Sequence, residues 1–340
     1  MKKFIITFSA LTFWGLVLLA QNQLTPEQRE ARRLANLATK VPWRTHYSDL
    51  VPIDDLGKGY CRGLQGGLYP NGSNVCPEPH LSEGIAIAKS IQPLNAEGNI
   101  DEANGKIVWI AIGNSNTTME TTTFINMFKD DQRLNPKLVL LDLAFGGKGI
   151  PNQIDPDTDY WKMAMERLAQ NRITPEQVQV IWFKTTLPNP NDTVPGNHAI
   201  DTLKNLIIQS IHTICKKFPN TKLLYQTSRT YAGYATQKAN PEPYAWLTGF
   251  SVKRMIEDQL KGVPDLAWKG ANAKVPWMAW GPYIWTNGMT PRKSDGLVWE
   301  PDDTTEDGFH PATTGKEKVA KMMFKFFSTD PTCTPWFLKK

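Results

Sequence analysis

The sequence lacks the features of a nucleic-acid-binding or a repeat protein. Its 340 residues carry 38 Lys and Arg against 33 Asp and Glu, a formal net charge of +5. Grooves that bind nucleic acid combine clustered basic side chains with stacking aromatic side chains, and the sequence has no such cluster. It has no internal repeat either. These absences exclude a nucleic-acid partner and argue against a repeat architecture.

The spacings typical of metal sites are also missing. The five histidines do not include a His-Glu-x-x-His pair, so we expect neither a zinc site nor any other metal or cofactor. After residue 20, no apolar stretch reaches the length that crosses a bilayer. We therefore expect no stable membrane insertion of the chain once its N-terminal segment is removed.

The first twenty residues have the layout of a secretory signal peptide. Lys2 and Lys3 precede an apolar run at residues 4–19, and the small residue Ala20 follows it. We expect a mature chain that begins near Gln21 and is secreted or periplasmic. The alternative is a retained membrane anchor, because the apolar run approaches the lower length limit for spanning a bilayer.

Cysteine is scarce, with four residues in the chain. That number fits an oxidising compartment, where disulfides persist. Cys61 and Cys76 bracket a loop rich in Gly, Pro and Asn, and a disulfide there would restrict a segment that has little core of its own. We predict the pairs Cys61–Cys76 and Cys215–Cys333. Other pairings, or four unpaired thiols, are the alternatives.

From residue 106 onward, short apolar runs alternate with helical stretches. This alternation is typical of right-handed βαβ units, which form a parallel sheet covered by helices on both faces. The five predicted strands are residues 107–112, 138–143, 178–183, 222–225 and 277–280. The predicted organisation is a signal peptide at 1–20, an N-terminal extension and irregular cap at 21–80, and one α/β domain at 81–340.

The loop after the first predicted strand carries a candidate nucleophile. In an open parallel sheet the ligand site lies beyond the carboxyl ends of the strands. There the sequence reads Gly-Asn-Ser-Asn-Thr-Thr at 113–118, which presents Ser115 at the start of a helix, beside unpaired backbone N–H groups. A serine hydroxyl in that place can attack a substrate, and its own N–H can hold the resulting oxyanion. The alternative is that Ser115 and Asn116 only cap the helix.

Two further loops supply the partners that such a serine needs. The loop after the second strand has a glycine cluster at 146–149, where the Gly147 N–H is a candidate second oxyanion donor because backbone there can approach a ligand closely. Near the C-terminus the sequence Asp-Gly-Phe-His-Pro at 307–311 precedes an amphipathic helical pattern. The Asp307 carboxylate can fix the tautomer of the His310 imidazole, so that its other nitrogen serves as general base for Ser115.

These three motifs, in this order, resemble the sequence blocks of the SGNH (GDSL-type) hydrolases. The resemblance implies a three-layer α/β/α flavodoxin-like fold and a Ser-His-Asp triad of Ser115, His310 and Asp307, with Gly147 and the Ser115 N–H as oxyanion donors. It also implies ester hydrolysis. The stretches at 228–234, 240–244 and 280–285 are similar to segments of exported bacterial SGNH-like proteins without an assigned activity.

Two positions depart from the family pattern. Asn114 stands where the usual first block has Asp, and Trp-Phe-Lys-Thr-Thr at 182–186 replaces the Gly-x-Asn-Asp block after the third strand. The family's oxyanion Asn therefore has no clear counterpart. Lys184 or Thr185 at the strand end, or Asn189 or Asn191 in the loop, are the candidates to replace it.

Candidate substrate contacts lie beside the nucleophile and after the last two strands. Arg229 can pair with an anionic group or form a structural ion pair with Glu242, and aromatic rings can stack on sugars, although they are more often core. The candidates are Asn116, Arg229, Tyr231, Trp280 and Trp285.

The sequence thus predicts an exported serine esterase that deacylates a glycan or a related small-molecule ester. The alternatives are a catalytically silent carbohydrate-binding protein with the same fold, suggested by the missing Asn, and a lipid esterase.

Overall fold

The structure, a computed structural model, describes residues 24–40, 47–187 and 196–339. The predicted signal peptide, Asn189 and Asn191 lie outside these residues. The described chain divides into an N-terminal unit that ends at Arg44 and a second unit that spans Thr45–Lys340. In the first unit, helix α1 (Pro26–Lys40) is amphipathic, with Glu27 in its first turn, where a carboxylate complements the helix dipole.

The second unit is built on a five-stranded parallel sheet. Its strands are β3 (Ile107–Gly113), β4 (Leu138–Asp142), β5 (Val178–Lys184), β6 (Leu223–Gln226) and β7 (Trp277–Trp280), in the spatial order β4-β3-β5-β6-β7. Counted from β3 this order is 2-1-3-4-5, the doubly wound flavodoxin-like order. Every residue of β3 and β5 is buried, because helices cover both faces of these central strands. The predicted fold class is confirmed.

Helices flank the sheet on both sides. The longer helices are α3 (His80–Lys89), α4 (Ser115–Phe128), α6 (Asp159–Gln170), α7 (Asn197–Lys217), α8 (Tyr244–Leu260) and α9 (Thr313–Thr329). Single-turn helices are α2 (Ile53–Leu56), α5 (Pro151–Ile154) and α10 (Thr334–Phe337). Helices α4 and α9 pack against each other, and α7 packs against α5 and α8. The chain winds from β3 to β4 in one direction and from β5 to β7 in the other. Right-handed crossovers therefore place the pair of α4 and α9 on one face of the sheet and the group of α5, α7 and α8 on the other.

Within the second unit, the segment before α3, residues 47–79, packs on the edge of the sheet. Its hairpin of β1 (Tyr60–Cys61) and β2 (Leu64–Gln65) precedes a loop that reaches β7, where the Trp280 indole N–H donates to the Leu68 carbonyl at 2.6 Å. Leu50 and Ile53 are buried in the core. The predicted boundary at residue 80 stays a prediction.

All four cysteines are free thiols, which corrects the predicted pairs Cys61–Cys76 and Cys215–Cys333. Two of the thiols have polar neighbours: Cys61 Sγ lies 3.4 Å from the Asp49 carbonyl, and Cys333 Sγ lies 3.9 Å from Thr332 Oγ1. A Gly-rich loop between two cysteines was therefore wrong as a disulfide signal; the loop is bound to β7 through the Leu68 carbonyl and the Trp280 indole N–H.

We expect four alkylated cysteines when the oxidised protein is unfolded without reductant and treated with iodoacetamide. In the folded protein the reaction should be slow, because Cys61 and Cys333 are buried and burial raises the pKa of Cys76 and of Cys215 to about 12. A thiol with so high a pKa is almost entirely protonated and reacts slowly. Intact-mass spectrometry counts the added groups. A mass that shows two or no added groups in the unfolded sample would restore the disulfide prediction.

Candidate active site

The loop after β3 and the loop before α9 bring three side chains into a hydrogen-bonded chain. Ser115 Oγ lies 2.8 Å from His310 Nε2, and His310 Nδ1 lies 2.6 Å from Asp307 Oδ2. Ser115 is the first residue of α4, and all three side chains are partly exposed. The geometry is that of a nucleophile, a base and a group that orients the base.

Asp307 is held by more than the imidazole. Its Oδ1 accepts hydrogen bonds from the backbone N–H groups of Phe309 and His310, at 3.1 and 3.0 Å, and from the Thr305 hydroxyl at 2.8 Å. Partial burial would raise the pKa of Asp307, but these hydrogen bonds and the one from the His310 ring outweigh it, so the pKa lies below its ordinary value. Asp307 therefore stays ionised and fixes the imidazole orientation.

Gly308 explains the spacing of Asp307 and His310. It has a φ of +75°, and a Cβ at this position would lie 1.8 Å from the Tyr234 carbonyl oxygen. Only glycine combines this left-handed conformation with so close an approach of the backbone. The tight turn lets the Asp307 side chain reach the backbone and the ring of His310.

The predicted oxyanion loop runs alongside the nucleophile. The Phe145 N–H donates to the Gly113 carbonyl at 3.2 Å, so hydrogen bonding to β3 continues past the end of β4. Gly147 follows two residues later, exposed and with a φ of +71°. Among the described residues, no acceptor binds the N–H of Gly147. Both this N–H and that of Ser115 at the helix start are available to a ligand.

The candidates for the missing oxyanion Asn have other partners. Lys184 Nζ lies 2.5 Å from a carboxylate oxygen of Glu120, and both side chains are buried. The Thr185 hydroxyl donates to Gln153 Oε1 at 2.8 Å. Neither strand-end side chain is free to hold an oxyanion, and Asn189 and Asn191 lie outside the described residues.

The predicted substrate contacts are almost fully buried. The exposed fraction is 3% for Arg229, Tyr231 and Trp280, 1% for Trp285 and zero for Asn116. The indole N–H of Trp285 donates to Glu242 Oε1 at 2.8 Å, and the Tyr231 ring packs edge-on against Trp285. These aromatic side chains are core, because the segment before α3 and the chain after β7 cover the ends of the strands.

Asn116 has a structural role that the sequence did not reveal, whereas Arg229 is a buried cation. Asn116 Nδ2 donates to the Phe309 carbonyl at 2.9 Å, so it ties the first turn of α4 to the loop of Asp307 and His310. Arg229 forms no ion pair within 4.0 Å among the described residues, although the charges of Glu120 and Glu242 act on it; burial lowers its pKa from the ordinary value. The predicted ion pair of Arg229 with Glu242 is not formed.

In the described part of the chain, no group of three or more His, Cys, Asp or Glu side chains is arranged to hold a metal ion. Over the same residues, no helix is both long enough and apolar enough to cross a membrane.

Comparison with known proteins yields structural likenesses of low similarity. No protein-family model and no curated protein sequence matches the chain. An SGNH hydrolase candidate from Slackia heliotrinireducens is 14% identical over 65% of this chain and 99% of its own, with a TM-score of 0.34. The periplasmic domain of a lipopolysaccharide acetyltransferase from Salmonella ser. Paratyphi A is 14% identical over 66% and 83%, with a TM-score of 0.34. A salicylyl-acyltransferase from a tetracycline biosynthetic pathway is 14% identical over 68% and 58%, with a TM-score of 0.36.

Proposed function

We propose that this chain is a serine hydrolase that cleaves carboxylic esters. The observation that carries the proposal is the continuous hydrogen-bonded chain from Ser115 through His310 to Asp307. These side chains come from two loops 195 residues apart in sequence, and their order and distances match what nucleophilic catalysis needs.

Each group has a role in the proposed reaction. The Ser115 oxygen attacks the ester carbonyl carbon while His310 Nε2 takes the serine proton, and the negative charge collects on the carbonyl oxygen. The N–H groups of Ser115 and Gly147 stabilise that oxyanion. His310 then returns the proton to the departing alcohol, which leaves an acyl-serine. A water then attacks the acyl carbon while the same imidazole takes its proton; the bond to the Ser115 oxygen breaks, the imidazole gives the proton to that oxygen, and the acid leaves.

For the substrate we propose a glycan ester met outside the cytoplasm. The layout of residues 1–20 supports export, and acylated polysaccharides are ester substrates found there. The burial of Tyr231, Trp280 and Trp285 removes the stacking surface that the sequence suggested, so recognition of a sugar would rest on the rim of the Ser115 site.

A fluorophosphonate probe tests the proposed nucleophile without knowledge of the substrate. Ser115 Oγ should displace fluoride from phosphorus and form a stable adduct, because the probe needs an activated serine and an oxyanion site but little else. Peptide mass spectrometry should place the adduct on Ser115. The matched control is Ser90→Ala, a change at an exposed serine at the end of α3, which should label like the wild type.

A panel of short acyl esters, acetylated polysaccharides and phospholipids then identifies the substrate class. Release of acetate from the polysaccharide supports a glycan esterase, whereas hydrolysis of the phospholipid alone would favour a lipid esterase. If the probe leaves Ser115 unmodified and no ester is cleaved, the chain is a catalytically silent protein and the proposal is wrong.

A further inference from the structure

The hydroxyl group of Tyr160 is inserted between the ends of β3 and β4. The Gly113 N–H donates to this oxygen at 3.2 Å, and the hydroxyl itself donates to the Leu143 carbonyl at 2.8 Å. Gly113 is two residues before Ser115, and Leu143 is four residues before Gly147. One buried phenol thus joins the two backbone segments that lead to the nucleophile and to the oxyanion loop.

The hydroxyl takes the place of a regular ladder bond. Ala111 pairs with Asp142, the Leu143 N–H donates to the Ala111 carbonyl at 2.9 Å, and the Phe145 N–H donates to the Gly113 carbonyl. In a parallel ladder that continues at this spacing, the Gly113 N–H would donate directly to the Leu143 carbonyl. The inserted oxygen turns one hydrogen bond into two, so it holds the Gly113 N–H and the Leu143 carbonyl farther apart than a direct hydrogen bond would, just before the chain reaches Ser115 and Gly147.

Helix α6 also binds the neighbouring carbonyls. Arg167 lies seven residues after Tyr160, on the same face of the helix. Its Nη1 donates to the carbonyls of Asp142 at 2.8 Å and Ala144 at 3.4 Å, and its guanidinium lies 4.2 Å from the centre of the Phe145 ring. Three consecutive carbonyls, at 142–144, are therefore bound by two side chains of α6.

Burial keeps the phenol of Tyr160 protonated. The side chain is inaccessible to solvent, and burial raises the pKa of its phenol well above the ordinary value. The hydroxyl keeps its proton and can donate to Leu143 while it accepts from Gly113.

We propose that Tyr160 is a positioning residue whose inserted hydroxyl sets the separation between the Ser115 oxygen and the Gly147 N–H. This inference rests on the proposed hydrolase function. Oxyanion donors act only when they lie about 2.7 to 3.1 Å from the developing charge. A change in the distance between the ends of β3 and β4 therefore alters the stabilisation of the transition state more than the binding of the substrate.

The test is Tyr160→Phe in the full chain, with Tyr225→Phe as the matched control. Tyr225 in β6 is equally buried, and its hydroxyl also donates to a backbone carbonyl, that of Thr332 at 2.8 Å, but it touches neither loop of the site. We expect kcat of Tyr160→Phe to fall about 10- to 100-fold with little change in KM, since a misplacement near 1 Å can cost that much. Tyr225→Phe should keep kcat within about twofold, because distant loss of a hydrogen bond acts mainly on stability.

A second measurement does not depend on turnover. Hydrogen exchange should rise in the peptides that contain Gly113 and Leu143 in Tyr160→Phe and stay unchanged there in Tyr225→Phe. If the wild type labels with fluorophosphonate and the two variants share the same kcat and the same exchange at these peptides, the positioning role is wrong and the hydrolase function stands. If the wild type neither labels nor hydrolyses any ester, the function and the role fail together.

Discussion

Ser115→Ala should abolish ester hydrolysis while the protein stays folded. We expect kcat to fall by about 10⁴-fold or more, the size of effect seen when a triad nucleophile is removed. The hydroxyl is needed only when the covalent bond forms, so KM and the melting temperature should change little. Steady-state kinetics on the substrate found in the ester panel, together with thermal unfolding, measures both quantities.

Variants of the other two triad members sharpen this test. His310→Ala should be about as damaging as Ser115→Ala, and the double variant hardly worse, because the groups act as one unit. Asp307→Asn keeps the shape of the side chain but presents an amide to His310 Nδ1, which favours the wrong tautomer, so we expect a loss of about 10⁴-fold in kcat. Retention of wild-type turnover by Ser115→Ala would show that another residue is the nucleophile. Additive losses in the double variant would show that Ser115 and His310 act in separate steps.

The sequence predicted the sheet well because buried parallel strands are continuous apolar runs. The predicted strand at 107–112 ends one residue before the observed β3, and the one at 277–280 coincides with β7. The three motifs could also be placed in one site, since strand ends meet at one edge of the sheet. The structure brings Ser115, His310 and Asp307 within hydrogen-bonding distance.

The sequence could not reveal which polar and aromatic side chains are covered. Trp280 is the last residue of β7 and Trp285 follows it, at the strand end where ligand contacts are sought, but a segment more than 200 residues earlier supplies the partner of the Trp280 indole. The partners of buried charged side chains are also hidden in the sequence. Lys184 could be interpreted as an oxyanion donor or as a solvated strand end, because its partner Glu120 lies 64 residues away. Tyr160 gave no signal beyond its place in a helix, since the gap that its hydroxyl fills exists only in the folded ladder.

The buried ion pair of Lys184 and Glu120 joins strand β5 to the nucleophile helix. The Thr117 hydroxyl donates to the Lys184 carbonyl at 2.6 Å, so the backbone of Lys184 holds the first turn of α4 while its ammonium holds the second. Burial lowers the pKa of Lys184 to about 8 and raises the pKa of Glu120, in each case against the partner's opposite charge. A buried pair of opposite charges adds little to the free energy of unfolding, because both charges lose their hydration. A buried charge without its partner lowers the free energy of unfolding strongly.

Lys184→Met should therefore lower the free energy of unfolding by about 3 to 5 kcal/mol near pH 7, where Lys184 is mostly charged, the usual cost of breaking a buried pair. The substitution leaves the Glu120 carboxylate in the core, and Arg229 is too far away to form an ion pair with it. Urea unfolding measures the difference. The matched control is Lys321→Met, which removes the cation of an exposed pair with Glu317 in α9 and should cost less than about 1 kcal/mol.

The loss should also depend on pH in a direction that identifies Glu120 as its cause. In Lys184→Met the pKa of Glu120 is higher in the folded than in the unfolded protein, so the folded state binds the extra proton between the two pKa values and stability falls as pH rises through that window. The deficit relative to wild type should shrink as pH falls towards the unfolded value near 4.3. The double variant Lys184→Met with Glu120→Gln, which carries no buried charge at this pair, should recover part of the stability at pH 7 and lose the pH dependence. A deficit that is the same at every pH, or a double variant less stable than Lys184→Met, would mean that packing rather than an uncompensated carboxylate accounts for the loss.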